Sequence, residues 1–278
     1  MLFEIDHFTR YEYSVPVQLG EHLLRLLPPS LANQRPGYCR LDITPLPGSR
    51  LDGVDVWGNP LQRVWFQGET GYLEIRAHLE VETLVTQLPG TPWPVPLPPV
   101  YGNESGALAS FLQPLEAGAG LDSFVRPLLA ASAGDTLAFL AALNEAIHGF
   151  YHRGVRLDGP PRSPAETLAS GDGVCRDLTV LFMAACRQVG IAARFVSGYQ
   201  QGLGSGELRY LHAWPEVYLP GRGWVGYDPT HATLVGGDHV AVAAAPTPAE
   251  VTPVEGGYSF QGATLTSTLT TEIRITTR

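Results

Sequence analysis

The chain has 278 residues, a formal net charge of −9, and 44% hydrophobic and 16% charged residues. This length suits one large or two modest domains with a sizeable core, and the acidic balance argues against nucleic acid as a partner, because such binding needs a surplus of lysine and arginine. Since the N-terminus lacks the charge and apolar run of a signal peptide, and no stretch approaches the roughly 20 apolar residues of a membrane span, we expect a cytoplasmic protein without a membrane partner.

The first 88 residues have the pattern of antiparallel strands. Apolar and polar residues alternate from Phe3 to Tyr13 and again from Leu73 to Glu82, which is the period of a strand with one buried and one exposed face. Turn-forming proline and glycine residues separate such segments. We therefore predict an all-β N-terminal domain over residues 1–88.

A proline-rich segment follows this domain. Residues 89–99 read PGTPWPVPLPP and fit neither a helix nor a central strand. An extended linker and an ordered surface loop fit the segment equally well. In either case it marks a boundary, and we assign residues 89–106 to a linker.

Helical signals dominate the next part of the chain. Asp135 is a suitable N-cap for a helix that ends at Gly149. Ser163–Glu166 has the sequence of a capping box with proline at the first helical position. A further helix is predicted from about Val174 to Val189, with Gly190 directly after its end.

Strand patterns return after the last helix. Three segments have this character: Ala192–Tyr199, Tyr210–Leu219 and Trp224–Tyr227. Residues 220–223, Pro-Gly-Arg-Gly, join the last two as a hairpin turn, and one more strand is expected in the threonine-rich stretch 264–276. We assign residues 107–245 to an α+β core and residues 246–278 to a C-terminal extension with a strand.

The three cysteines form neither a disulfide framework nor a zinc module, because they are few and lack CxxC spacing. Cys175 falls in the first turn of a predicted helix, where unpaired N–H groups and the helix dipole lower a thiol pKa. Arg176 adds a neighbouring positive charge. Cys186 and Cys39 are predicted to be structural, since one lies among apolar helix residues and the other in a strand-like stretch. From its position alone, Cys175 fits a nucleophile and a small buried residue equally well.

His212 and Asp228 lie on opposite arms of the predicted hairpin. With the turn centred near Gly221, His212 lies opposite about residue 230, and Asp228 is its diagonal neighbour across the hairpin. The two side chains can form a hydrogen bond if both lie on the same face of the hairpin. Such a carboxylate holds an imidazole in the tautomer that accepts a thiol proton. A strand histidine alone is more often a surface residue, and an Asp before Pro is often a turn former. The three residues together, each at the end of an element, favour a Cys-His-Asp triad.

Several sequence blocks resemble the bacterial transglutaminase-like proteins. The blocks of the core follow the order and spacing of that family: Gly173–Asp177, Val196–Tyr199, His212–Tyr218 and Gly223–Thr230. In the N-terminal part, Asp55–Asn59 is similar to a motif of the family's β-rich N-terminal domain. The ending Gly256-Gly257-Tyr258 plus a strand is also similar to the family, so most of the chain is covered. One departure follows the nucleophile, where relatives usually have Cys-Gln-Asp-Phe-Ala-His and this chain has Cys-Arg-Asp-Leu-Thr-Val from Cys175 on.

The resemblance implies a papain-like α+β core with Cys175, His212 and Asp228 as the triad. It also implies acyl transfer on amides, as a peptidase, amidase or transglutaminase. We expect a protein or peptide substrate, hydrolysis rather than crosslinking, and neither a cofactor nor a metal. Around the triad, Asp177 is expected to support the loop by accepting backbone hydrogen bonds. Tyr151 could donate to an oxyanion, although an ordinary strand tyrosine fits it better.

Two other functions remain open from the sequence. A metal hydrolase is one, because His212, Asp228, His231, Asp238 and His239 are crowded in the sequence and suit zinc or iron. Their spacing matches no known helical metal motif, and the thiol would have no role. The second is a non-catalytic scaffold that binds a protein through its β-rich N-terminal domain. Calcium is not indicated, since no loop rich in Asp and Asn is present.

Overall fold

The computed structural model describes residues 1–84, 95–115, 118, 120–150, 156, 159–202, 209–262 and 264–278. The strands are β1 Leu2–Leu24, β2 Gln34–Thr44, β3 Ser49–Val54, β4 Pro60–Trp65, β5 Glu69–Thr83, β6 Ala193–Gln200, β7 His212–Leu219, β8 Gly223–Asp228, β9 Thr233–Leu234, β10 His239–Ala245, β11 Val254–Phe260 and β12 Ser267–Thr277. The helices are α1 Ala109–Leu112, α2 Leu121–Ala131, α3 Thr136–His148, α4 Pro164–Ser170 and α5 Cys175–Gln188.

The front sheet, formed by β1–β5 with β11 and β12, is built around the long strand β1. Its order is β2-β5-β1-β4-β3, and β11 and β12 also pair with β1. The two alternating segments predicted from the sequence are neighbours, since β1 and β5 pair with Ile5 opposite Leu79. Every second residue of β5 from Leu73 to Val81 is buried, while Arg76 is exposed. The predicted strand character and the single buried face are confirmed.

The C-terminal part supplies two strands to this sheet, where the sequence predicted one. Strand β12 pairs with the first half of β1, and β11 pairs with its second half, with Leu19 opposite Tyr258. The prediction missed β11 because its residues alternate neither in hydrophobicity nor in burial, and Gly256 and Gly257 interrupt it. The boundaries proposed at 88, 106 and 245 stay predictions.

The helix starts predicted from capping residues are confirmed. The side chain of Asp135 accepts two backbone N–H bonds at the start of α3, and Gly149 caps its end. The capping box of α4 is present in both directions: Glu166 N–H donates to the Ser163 hydroxyl at 3.3 Å, and Ser163 N–H donates to the Glu166 carboxylate at 2.8 Å. None of the helices in the described ranges has the length and apolar character needed to cross a membrane.

The core sheet has the order β10-β6-β7-β8-β9 and packs against α5. Residues 177–187 of α5 are all buried, because the helix lies between the sheet and α3. Cys175 is the first residue of this helix, and His212 is the first residue of β7. The α+β arrangement predicted from the sequence, a cysteine-bearing helix packed on an antiparallel sheet behind a β-rich region, is confirmed.

Two amide side chains of the front sheet bind the backbone of edge strand β10. Gln34 accepts from the N–H of Ala241 at 2.9 Å and donates to its carbonyl at 2.8 Å. Asn59 makes the same pair with Ala244, at 2.8 and 3.1 Å, and is itself held by Asp55 at 2.9 Å. These side chains occupy backbone groups that an unpaired edge would leave open. The front sheet thereby fixes the strand that begins at the functional site described below.

Candidate active site

A tight loop places Cys175 at the N-terminus of α5. The N–H of Val174, the N-cap residue, donates to the Asp177 carboxylate at 3.1 Å. Gly173 is required for close packing, since a Cβ there would lie 3.1 Å from side-chain atoms of both Asp177 and Leu178. The cysteine therefore lies where the unpaired N–H groups of a helix start favour negative charge.

Asp177 anchors this loop from a fully buried position. Its carboxylate accepts from the Arg156 guanidinium at 2.6 Å and from the backbone N–H of Arg162 at 2.8 Å, besides the N-cap bond. The sequence prediction that Asp177 accepts backbone hydrogen bonds is confirmed. The ion pair with Arg156 was not predicted, because nothing local in the sequence links two residues 21 positions apart. Asp177 thus acts on the site through the position of Cys175.

The β7–β8 hairpin brings His212 and Asp228 together. Glu216 pairs with Gly226 in its ladder, so that His212 falls opposite residue 230, the register expected from the sequence. The Nε2 atom of His212 lies 2.8 Å from Oδ2 of Asp228. The Asp228 side chain is fully buried and that of His212 is 9% exposed. The imidazole is oriented by a carboxylate that solvent does not reach.

The Cys175 thiol lies beside the His212 imidazole and the backbone N–H of Ala213, and both act on it as hydrogen-bond partners. Burial raises the pKa of the thiol, but these hydrogen bonds and the positive charges of His212 and Arg176 outweigh it and place the pKa below its ordinary value. Burial lowers the pKa of His212, whereas the charge and hydrogen bond of Asp228 and the bond to Cys175 raise it to about 10. A lowered thiol pKa beside a raised imidazole pKa is expected of a thiolate–imidazolium pair.

Three histidines converge on one oxygen of Asp228. Its Oδ2 lies 2.8 Å from His212 Nε2, 2.7 Å from His231 Nδ1 and 3.0 Å from His239 Nε2, and its Oδ1 accepts from Thr230 N–H at 2.9 Å. Burial raises the Asp228 pKa, but the charge of His212 and the histidine hydrogen bonds hold it well below its ordinary range. From the sequence, His231 and His239 were considered only as metal ligands. Their closeness to Asp228 in the sequence was the available signal for a different role.

The same cluster offers a test of the metal-hydrolase alternative. His212, Asp228 and His231 each present one ligand atom, and the three atoms lie within 4.8 Å of one another. The same atoms form the His–Asp hydrogen bonds described above, and a metal centre would leave the Cys175 thiol beside His212, with its lowered pKa, without a role. The arrangement favours a hydrogen-bonded network over a metal centre.

The remaining predicted residues have different outcomes. Arg176 donates to the backbone carbonyl of Arg156 at 2.8 Å, so its charge is held close to the thiol. Cys186 is fully buried, and burial raises its pKa well above the ordinary value. Cys39 is partly buried in β2, and its thiol donates to a backbone carbonyl of β5 at 3.7 Å. Both positions agree with the predicted structural role, which stays a prediction. Tyr151 lies outside the described residues, and its oxyanion role stays a prediction.

Two protein families match the chain. The bacterial transglutaminase-like N-terminal region matches residues 3–82, and the transglutaminase-like superfamily matches residues 126–229. The second match contains Cys175, His212 and Asp228. Together the matches cover strands β1–β5 and the segment from α2 to the end of the β7–β8 hairpin.

Relatives and a solved structure extend the comparison over the whole chain. An uncharacterized protein of Mycobacterium tuberculosis is 28% identical over 280 aligned positions, which cover 91% of this chain and 86% of the relative. An uncharacterized protein of Mycobacterium leprae is 32% identical over 111 residues, covering 38% of this chain and 39% of that protein. A crystal structure described as a putative cysteine protease from Cytophaga hutchinsonii has a TM-score of 0.74 at 20% identity, covering 99% of this chain and 90% of that one. The fold is shared over nearly the full length.

Proposed function

This chain is a bacterial transglutaminase-like protein, and from that premise we propose that it catalyses thiol-dependent acyl transfer on amide bonds through Cys175, His212 and Asp228. The observation that carries the proposal is the thiol at a helix N-terminus, with a lowered pKa, beside an imidazole that bonds a buried carboxylate at 2.8 Å. A buried structural cysteine gains nothing from such a partner. Cys186 in the same helix has the opposite direction, since burial raises its pKa well above the ordinary value although the charge of Arg187 opposes this.

The reaction begins with the Cys175 thiolate, whose proton resides on His212. The sulfur attacks the carbonyl carbon of the amide, and the negative charge moves to the carbonyl oxygen. The backbone N–H of Cys175, at the first position of α5, is a suitable donor to that oxyanion. His212 then gives its proton to the departing amine, the C–N bond breaks, and a thioester to Cys175 remains.

Resolution of the thioester uses the same imidazole as a base. Neutral His212 takes a proton from the attacking water or amine, the thiolate leaves, and the resting thiolate–imidazolium pair returns. Asp228 stabilises the imidazolium in both halves of the cycle and keeps its orientation. We favour hydrolysis over crosslinking, because water needs no binding site of its own whereas an amine acceptor does. We expect a peptide or protein substrate in the cytoplasm.

Mass spectrometry of the acyl-enzyme tests the proposal. The full chain is incubated with a peptide library, with and without a lysine-like amine, and acyl adducts are mapped. We expect an adduct at Cys175 that is absent in Cys175→Ala and retained in Cys39→Ala, a matched variant of the other partly exposed thiol. Free carboxyl products indicate hydrolysis, and amine-linked products indicate crosslinking.

Two results count against this function. A Cys175 that stays unmodified by peptides and by thiol-reactive probes at neutral pH favours the scaffold alternative. Activity that is lost on treatment with EDTA but survives iodoacetamide favours the metal hydrolase.

A further inference from the structure

His239, the first residue of β10, lies between two carboxylates. Its Nε2 is 3.0 Å from Asp228 Oδ2, and its Nδ1 is 2.9 Å from Asp238 Oδ1. The side chain is only 1% exposed, so water does not compete for either nitrogen. The ring is further held by the edge-to-face contact of Trp214, with centroids 5.1 Å apart. The mechanism above assigns no role to this buried histidine.

An ionised carboxylate only accepts hydrogen bonds. A ring with both nitrogens on carboxylate oxygens must therefore donate from both, which makes it an imidazolium. The electrostatics agree: burial lowers the His239 pKa, but the hydrogen bonds to Asp228 and Asp238 outweigh it and raise the pKa overall. Asp238 responds in the opposite direction, its pKa being lowered first by the hydrogen bond to His239.

We infer that His239 is a positioning residue, a buried imidazolium that fixes Asp228 and limits how strongly Asp228 holds the proton of His212. The inference rests on the proposed function. His239 and His212 bond the same oxygen, Oδ2, and their ring centroids are 6.0 Å apart. The two like charges repel, so each makes the other easier to deprotonate. This matters because His212 must release its proton to the leaving amine, and an Asp228 without a second cation would retain it.

The charged and titratable groups around this ring lie on two strands and in two turns. Within the described residues they are Asp228 at the end of β8, Asp238 in the turn before β10, His212 on β7, and His231 in the turn after β8, which bonds the same oxygen of Asp228. From β6, the side chain of Gln200 is neutral and bonds the second oxygen of Asp238 at 3.5 Å. The two carboxylates bond the ring directly, whereas the charge of His212 acts on it across Asp228.

The test replaces His239 by glutamine, which is neutral, and measures the rate of iodoacetamide addition to Cys175 against pH. A unit charge 6.0 Å away moves a pKa by about one to two units at the effective dielectric of such sites. The plot of rate against pH has two steps, one for formation of the Cys175 thiolate and one for loss of the His212 proton. In His239→Gln we expect the midpoints of both steps to lie at a pH higher by about one unit or more. His22→Gln, which replaces another buried histidine on β1 of the front sheet, should leave the midpoints of both steps unchanged.

A second measurement needs no variant. In wild type labelled with ¹⁵N-histidine, the ring nitrogens of His239 should both carry protons at pH 7. A single protonated nitrogen, or profiles of His239→Gln and wild type that coincide, overturns the inference while leaving the proposed function intact. A wild-type Cys175 that iodoacetamide does not modify below the pH of an ordinary thiol counts instead against the proposed function.

Discussion

The replacement Asp228→Asn removes the charge behind His212 and keeps the shape of the side chain. Asp228 is fully buried, and its Oδ2 receives three imidazole nitrogens. An amide provides one oxygen and one NH₂ group, so it cannot accept all three bonds. We expect His212 to lose both the stabilisation of its imidazolium form and its fixed orientation.

The magnitude follows from the geometry of the pair. With the contact atoms 2.8 Å apart, the charge centres lie about 4 Å apart, and at an effective dielectric of about 20 the attraction is about 4 kcal/mol. This corresponds to about three pKa units. The pKa of His212, raised to about 10 in the intact site, then returns towards that of a free histidine. Without a paired imidazolium, a thiol with the ordinary pKa of 9.0 is about 1% thiolate at pH 7, so the reactivity of Cys175 should fall by up to about 100-fold.

The assay is the rate of iodoacetamide addition to Cys175 between pH 5 and 10, followed by peptide mass spectrometry. In Asp228→Asn the midpoint of the rise in addition rate should move up towards pH 9, and the rate at pH 7 should fall by the factor given above. Glu74→Gln is the control, since it alters a partly buried carboxylate of β5 that pairs with Arg10 of β1 in the front sheet, and it should leave the profile unchanged. A folded Asp228→Asn protein with the wild-type profile would refute the reasoning.

Three further predictions concern stability and are measured by urea unfolding. Asn59→Ala leaves the backbone groups of Ala244 without their partners, and should lower the free energy of unfolding by about 2 kcal/mol; an unchanged value contradicts the docking described above. Gly198→Ala puts a Cβ into the carbonyl oxygen of Val240, and should cost about 3 kcal/mol or prevent folding, so a stable variant would show that the sheet adapts. Burial lowers the pKa of His7 to about 4. Between about pH 6.5 and 4 the unfolded chain therefore binds a proton on His7 that the folded chain does not bind. The free energy of unfolding should fall by up to about 3 kcal/mol as the pH drops through this window. His7→Gln should lack this part of the pH dependence, and an identical pH dependence in both proteins contradicts it.

Local rules were sufficient for the elements that present the site. Capping chemistry at Asp135 and Ser163 is read from neighbouring residues, and the structure reproduces both starts. The hairpin register follows from a turn centred at Gly221, which is why the sequence alone places His212 opposite residue 230 and near Asp228. The turn has three residues, 220–222, because Gly223, which the sequence analysis assigned to the turn, is the first residue of β8 and pairs with Leu219. The position of Cys175 in the first turn of a helix was also predicted from neighbouring residues alone.

Other features depend on contacts between distant parts of the chain. Strand β11 exists because β1 is long enough to pair beyond β12, and its own sequence has no strand pattern. Gln34 and Asn59 bind the edge of β10 from more than 180 residues away. The placement of His239 against Asp228 likewise depends on how β10 packs in the core sheet, which no local pattern specifies.

The central claim is that Cys175 exists as a thiolate paired with the His212 imidazolium at neutral pH. The most direct test is the ultraviolet absorbance of the thiolate, titrated from pH 4 to 10 as the difference between wild type and Cys175→Ser. The account predicts a thiolate that is present at pH 7 and appears well below the ordinary thiol pKa of 9.0. A difference spectrum that shows no thiolate until about pH 9 or above contradicts it.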